Sequence, residues 1–341
     1  MNMSKEFPTE TRLAFDCMVT CSLLEAAQDF YTTQLGFRLD AIFPADNPGV
    51  ALLSGYGGHV RLVQSGRTLP QDLKPPPFKP ALVVQKYGGQ NSWGLGRAGM
   101  FYRDLIPGRQ GGGFIASHIR IPRGGPVPDY VHHHQVLFQT IYCFKGWVKV
   151  VYQDQGPEFV LHEGDCVLQP PGIRHRVLEC SEGMEVIELS APAEHMTFLD
   201  HALVLPTTRN KPERLFGGQR FVRHSAAGSV WIRDALPGFD VKETGIEKGT
   251  AGIAALKVLR ANGSKLLVGG PAHGRLQFNF VLKGSVHLLL DAESHELQEN
   301  DVFLIPGGVK WSMTRPAGNF ELLQLTVYCY SKGNANSPHS C

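Results

Sequence analysis

A pattern of strand, Lys-Gly turn and strand occurs twice in this chain. Val136–Phe144, Lys145–Gly146 and Trp147–Tyr152 are echoed by Leu276–Leu282, Lys283–Gly284 and Ser285–Leu290. Downstream of each copy a second echo follows: Gly164–Gly172 reads Gly-Asp-Cys-Val-Leu-Gln-Pro-Pro-Gly, and Asn300–Gly308 reads Asn-Asp-Val-Phe-Leu-Ile-Pro-Gly-Gly. Short β-rich runs bounded by Gly and Pro are strands, and a unit that repeats must bury its faces and edges against its own copy. The 38 glycines and 23 prolines suit many strands joined by tight turns. The fold class expected is mainly β, with two similar barrels in one chain.

The first copy carries a histidine constellation that the second lacks. His132 and His134 are spaced i, i+2, so on a strand both imidazoles leave the same face. His133 leaves the other face, which gives it a structural place or one behind the ligands. His175 follows the turn Pro170–Gly172, which can bring the next strand beside the first pair. His132, His134 and His175 are therefore candidate metal ligands, because packing alone does not demand this spacing of Pro, Gly and His. In the second copy Trp311 stands in the place of His175, and of the pair only His273 remains.

These stretches resemble the two motifs of the cupin superfamily. The first runs His132, His134, four residues, Gln139, six residues, Gly146, and the second runs Gly164, five residues, Pro170, Gly172, two residues, His175, three residues, Glu179. Three positions depart from the family pattern. Gly125 lies one residue too far from His132, Glu179 replaces an asparagine, and Gln139 replaces the glutamate that touches the metal. The repeat extends the resemblance to bicupins, in which one chain supplies two double-stranded β-helix, or jelly-roll, barrels. That resemblance implies a metal-binding barrel over residues 113–207 and a degenerate, metal-free barrel over 208–336. Strands are expected at Phe114–Ile121, Val136–Phe144, Trp147–Tyr152, Glu158–Leu161, Asp165–Gln169 and Glu185–Leu189.

The first 66 residues read as a small α+β module of order βαβββ: a strand at Leu13–Thr20, an amphipathic helix at Leu23–Leu35 with Leu24, Ala27, Phe30 and Tyr31 apolar, then strands at Phe37–Phe43, Val50–Leu53 and Val60–Val63. Asp29, Phe30, Tyr31, Leu35, Gly36 and Phe37 give it a resemblance to one module of the glyoxalase, or vicinal oxygen chelate, superfamily. That family binds metal from its first and last strands, where this chain offers Asp16 or Cys17 and Arg61, so a metal-free module is expected. Residues 67–112 form a Pro/Gly-rich connector, with breakers at Pro75–Pro77 and Gly111–Gly113. Its apolar pieces Ala81–Val84 and Trp93–Phe101 are expected to pack across the barrels.

Composition excludes several function classes. Of 341 residues, 43% are hydrophobic and 19% charged, with a formal net charge of +2, the profile of a globular protein with no nucleic-acid or membrane partner. No run is long enough to cross a bilayer and Met1–Arg12 is not a leader, so a cytoplasmic place is expected. Seven cysteines without a Cys-x-x-Cys pair argue against a disulfide framework. Cys143 and Cys166 can approach the site or simply fill the core.

A trio of neutral imidazoles, with neutral Gln139 as weak oxygen ligand or hydrogen-bond partner, leaves a divalent charge uncompensated and favours an anionic chelating substrate. Imidazole suits iron, nickel, copper and zinc. The resemblance implies Fe(II), with Zn, Ni or Mn as other occupants, and a dioxygenase that uses O2 to cleave a C–C bond of a phenolic or β-dicarbonyl substrate. Arg174 and Arg120 are candidates to fork a substrate carboxylate. The competing expectations are a metal-dependent isomerase or lyase acting through an enolate, and a ligand-binding bicupin without catalysis. A homodimer is expected by analogy with cupins.

Overall fold

The computed structural model describes residues 16–67, 78–88, 93–263, 266–290 and 293–328. The expected breakers Pro75–Pro77, the start of the first strand at 13–15, and Cys329 and Cys341 lie outside these.

The chain is mainly β, as the alternating runs require. Three large sheets carry the fold, with strand neighbours far apart in sequence. The first unit is two facing sheets. One contains His132–His134, His175–Cys180, Trp147–Tyr152 and Phe159–His162, and the other contains Cys166–Gln169, Phe138–Lys145, Met184–Ala191 and Ile115–Ile121. Ile141, Cys143, Val148, Val150, Val167 and Val186 meet between them, because residues 139, 141 and 143 share one face. The opposite face, with Phe138 and Tyr142, packs on Phe278, Phe280, Leu304 and Leu325 of the second unit. The repeat thus buries itself face to face in one large apolar seam.

The second unit is a single nine-stranded sheet. The two strands expected at Leu276–Leu282 and Ser285–Leu290 are one continuous strand, Leu276–Leu290, paired along its length with Lys310–Val327. Gly284, at φ +74°, absorbs the register shifts that bend it there, so the turn of the first unit is a bulge in the second. In the first unit the same position, Gly146, also has a left-handed φ of +73° and makes a true turn.

The N-terminal segment forms Cys17–Cys21, a helix Leu24–Asp29 that continues as a π-helical turn Phe30–Gln34, then Arg38–Phe43, Val50–Gly55 and Gly58–Gln64. Its first and last strands pair in parallel. Leu24 is buried under the sheet, whereas Phe30 is 51% exposed. Phe30 lies six positions after Leu24, which on a helix is well off its face. The segment is not a separate body: Arg38–Phe43 pairs with Thr197–Leu199, which pairs in turn with His132–His134.

The connector joins both units, with Val83–Gln85 added to Val302–Pro306 and Phe101–Asp104 added to Ile115–Ile121. Val222–His224 also crosses back, pairing with Cys166–Gln169 of the first unit.

Candidate metal centre

The short strand His132–His134 sits between Thr197–Leu199 on one side and His175 on the other. His132 and His175 are direct cross-strand partners, and alternation places His134 on the same face. Gly172, at φ +76°, turns the chain into the strand that begins with His175. The result is a convergence of three buried rings, with centroids 5.0 Å (132–134), 4.3 Å (132–175) and 5.2 Å (134–175) apart. One ligand nitrogen from each lies within 4.8 Å of the others, so the trio could hold a metal ion.

Each ring is oriented through Nδ1. His132 Nδ1 lies 2.7 Å from the Tyr130 carbonyl, His134 Nδ1 is 2.9 Å from Thr197 Oγ1, and His175 Nδ1 is 3.1 Å from the Ile173 carbonyl. A carbonyl only accepts, so Nδ1 of His132 and His175 carries the proton and Nε2 keeps a lone pair. This is the arrangement that a metal-ligating histidine uses. Asp129 also approaches, with Oδ1 3.6 Å from His132 Nδ1 and Oδ2 accepting from the Val177 amide at 2.9 Å. Sequence reasoning missed this carboxylate. It lies three residues before His132, and its charge would offset part of that of a cation held by three neutral imidazoles.

The neighbouring interior is polar where the rest of the core is not. Gln139 is 1% exposed and pairs across the sheet with Gln169 and Ser190. Gln169 Nε2 donates to Tyr152 Oη at 2.8 Å, and the Tyr152 ring stacks on His175 at 5.5 Å, so the two sheets are bridged at the level of the trio. Gln139 Oε1 and Ser190 Oγ are buried with no hydrogen-bond partner among the described residues. Buried polar atoms are normally satisfied, and a bound ligand or ordered water is the usual reason for an exception. The donor set and these unsatisfied atoms fit a metal ion with further oxygen ligands.

His133 faces away and stacks on Phe198 at 5.3 Å. Burial and the nearby Arg174 push its pKa down to about 4. Arg174 is held on the face opposite His175, its Nε 3.1 Å from Asp200 Oδ2 and its Nη1 donating to the Gly172 carbonyl. Nε and Nη1 of the guanidinium are thus both engaged within the protein. Arg120 lies over the Trp93 ring at 4.4 Å, away from the interior face of Ile119 and Ile121. Cys143 faces the core, where burial pushes its thiol up to about 12, and Cys166 lies in the seam between units. Glu179, at the motif's asparagine position, pairs with Lys149 at 2.8 Å.

In the second unit Trp311 takes the ligand position. Its Nε1 donates to Gln277 Oε1 at 3.2 Å, and its ring meets Phe303 edge-on at 6.2 Å. Gln277 is the counterpart of Gln139, so an indole satisfies the amide that the first unit leaves open. His273 is exposed.

Fold and site together define a mainly β protein with a buried three-histidine group. Residues 117–190 match the family model described as Cupin domain. No curated protein matches the chain. Several solved structures share the fold. The protein Ylba from E. coli is 13% identical, with a TM-score of 0.53 over 76% of this chain and 97% of that one. A variant of Bacillus subtilis oxalate decarboxylase is 12% identical, with a TM-score of 0.54 over 77% and 81%. Salicylate 1,2-dioxygenase from Pseudaminobacter salicylatoxidans is 16% identical, with a TM-score of 0.52 over 74% and 86%. Among the described residues no helix is long and apolar enough to cross a membrane.

Proposed function

We propose that this chain is a metal-dependent cupin enzyme, a dioxygenase that cleaves a C–C bond of a chelating phenolic or β-dicarbonyl substrate. The supporting observation is the convergence of His132, His134 and His175, which bring one ligand nitrogen each within 4.8 Å of the others while Nδ1 of each ring has a hydrogen-bond partner. In this reading His132, His134 and His175 would hold Fe(II), which when bound would supply Lewis-acid and dioxygen chemistry to a chelating substrate. Both oxygen atoms enter the product as the C–C bond breaks, so no outside reductant is needed.

The protein's own residues define the rest. Gln139 Oε1 and Ser190 Oγ offer hydrogen bonds to a polar ligand in the barrel interior. Tyr152, pinned by Gln169, walls the site beside His175. Apolar packing below, at Val148, Val150 and Ile173, keeps bulk water from the far side. Arg174 braces Asp200 in this reading. The two β units are read as a bicupin and the N-terminal segment as a single glyoxalase-like module whose sheet props the histidine strand through Thr197–Leu199.

The test restores Fe(II) to chelator-treated protein and follows O2 uptake against a panel of phenolic acids and β-diketones. One O2 consumed per substrate cleaved is expected. Turnover under argon would instead assign an isomerase or lyase, and tight binding with no product would assign a ligand-binding protein.

A further inference from the structure

A fourth histidine shares the hydrogen-bonding signature of the trio. His195 is 5% exposed, and its Nδ1 lies 3.2 Å from the Pro192 carbonyl. The carbonyl can only accept, so Nδ1 bears the proton and Nε2 presents a bare lone pair. That Nε2 is buried with no hydrogen-bond partner among the described residues. The ring stands edge-on to His134, with centroids 5.3 Å apart and planes at 86°. A histidine that only filled space here would leave an acceptor buried without a donor, which is costly. Yet His195 is not a fourth member of the trio, whose ligand atoms all lie within 4.8 Å of one another.

The inference rests on the reading that the trio holds a metal ion. We infer that His195 is a positioning residue of that centre: its Nε2 accepts a hydrogen bond from a water bound to the ion. The fixed tautomer matters, because a histidine protonated at Nε2 would repel such a donor. The loop that carries His195 runs directly into Thr197, the acceptor for His134, so both supports of the centre lie on one short segment.

Co(II) affinity, measured on chelator-treated full-length protein by competition with a chromophoric chelator, tests this without any substrate. His195→Phe removes the acceptor, and His195→Gln restores one through its amide oxygen. Loss of the acceptor is expected to weaken Co(II) binding by roughly 10–100-fold with one ion per chain retained, and the Gln variant to recover most of it. Should the Phe variant fail to fold by circular dichroism, His195→Leu serves in its place. Unchanged affinity in the Phe or Leu variant overturns the inference. So does loss of one coordinating nitrogen from the electron paramagnetic resonance spectrum of the Cu(II)-loaded variant, which would make His195 a direct ligand. A wild-type protein that binds no Co(II) would instead overturn the metal reading and this inference with it.

Discussion

Thr197→Val isolates one hydrogen bond that the metal reading needs. Thr197 is 2% exposed, and its Oγ1 lies 2.9 Å from His134 Nδ1. Val keeps the β-branched shape, and the backbone pairings of residue 197 with His134 and Ile42 do not use the side chain. Without a metal, the neutral His134 ring can shift its proton to Nε2, so the free protein tolerates the change. With a metal on Nε2, the proton must sit on Nδ1, where it now has no acceptor and no access to water. An unsatisfied buried donor costs about 1–3 kcal/mol, and the cost falls on the metal-bound state alone. Metal affinity should therefore fall about 10–100-fold, or about 1.4–2.7 kcal/mol. Chelator competition with Co(II) measures this, and urea unfolding of the metal-free variant should differ from wild type by less than about 1 kcal/mol. Equal Co(II) affinity in Thr197→Val and wild type would refute the reasoning.

Two further outcomes follow from the second unit and from the buried Asp154. Trp311→Ala should leave metal content unchanged while costing about 3–5 kcal/mol, since it removes a buried indole and leaves Gln277 Oε1 without its donor; urea unfolding and elemental analysis check both halves. Asp154 is pushed up by burial, but hydrogen bonds from Arg214 and Thr207 outweigh this and hold it below its ordinary 3.8. Its stabilisation is thus present above pH ~3.8 and is lost as pH falls through the lower folded value. Asp154→Asn should be less stable at neutral pH and show a shallower acid loss; equal acid profiles would contradict the assignment.

Much of the centre was legible in the sequence because its geometry is local. The i, i+2 spacing of His132 and His134 fixes their shared face, and the turn at Gly172 sets where His175 begins. Trp311 at the second copy's ligand position was readable for the same reason. The supports were not legible. Thr197 reaches His134 from 63 residues away, and His195 sits on a loop with no periodicity to betray it. Asp129 was within reach of inspection, as an acid three residues before the motif, but only the fold turns it toward His132 Nδ1. The strand limits Trp147–Tyr152 and Arg38–Phe43 lie within a residue of expectation, whereas Leu276–Leu290 was split at Lys283–Gly284. Sequence cannot distinguish a glycine that turns a chain from one that bulges it, because both need a left-handed φ. Val222–His224 pairs with Cys166–Gln169 of the first unit although it follows residue 208, since a repeated sequence pattern does not say which sheet an intervening strand joins.

The most direct test is the metal content of protein purified without chelators or a nickel column, for the wild type and for His132→Ala, His134→Ala and His175→Ala. A three-histidine centre predicts close to one equivalent of iron per chain in the wild type and none in each variant, with the β circular dichroism spectrum intact. Metal retained in all three variants, or a wild-type protein that takes up no divalent ion at all, would contradict it.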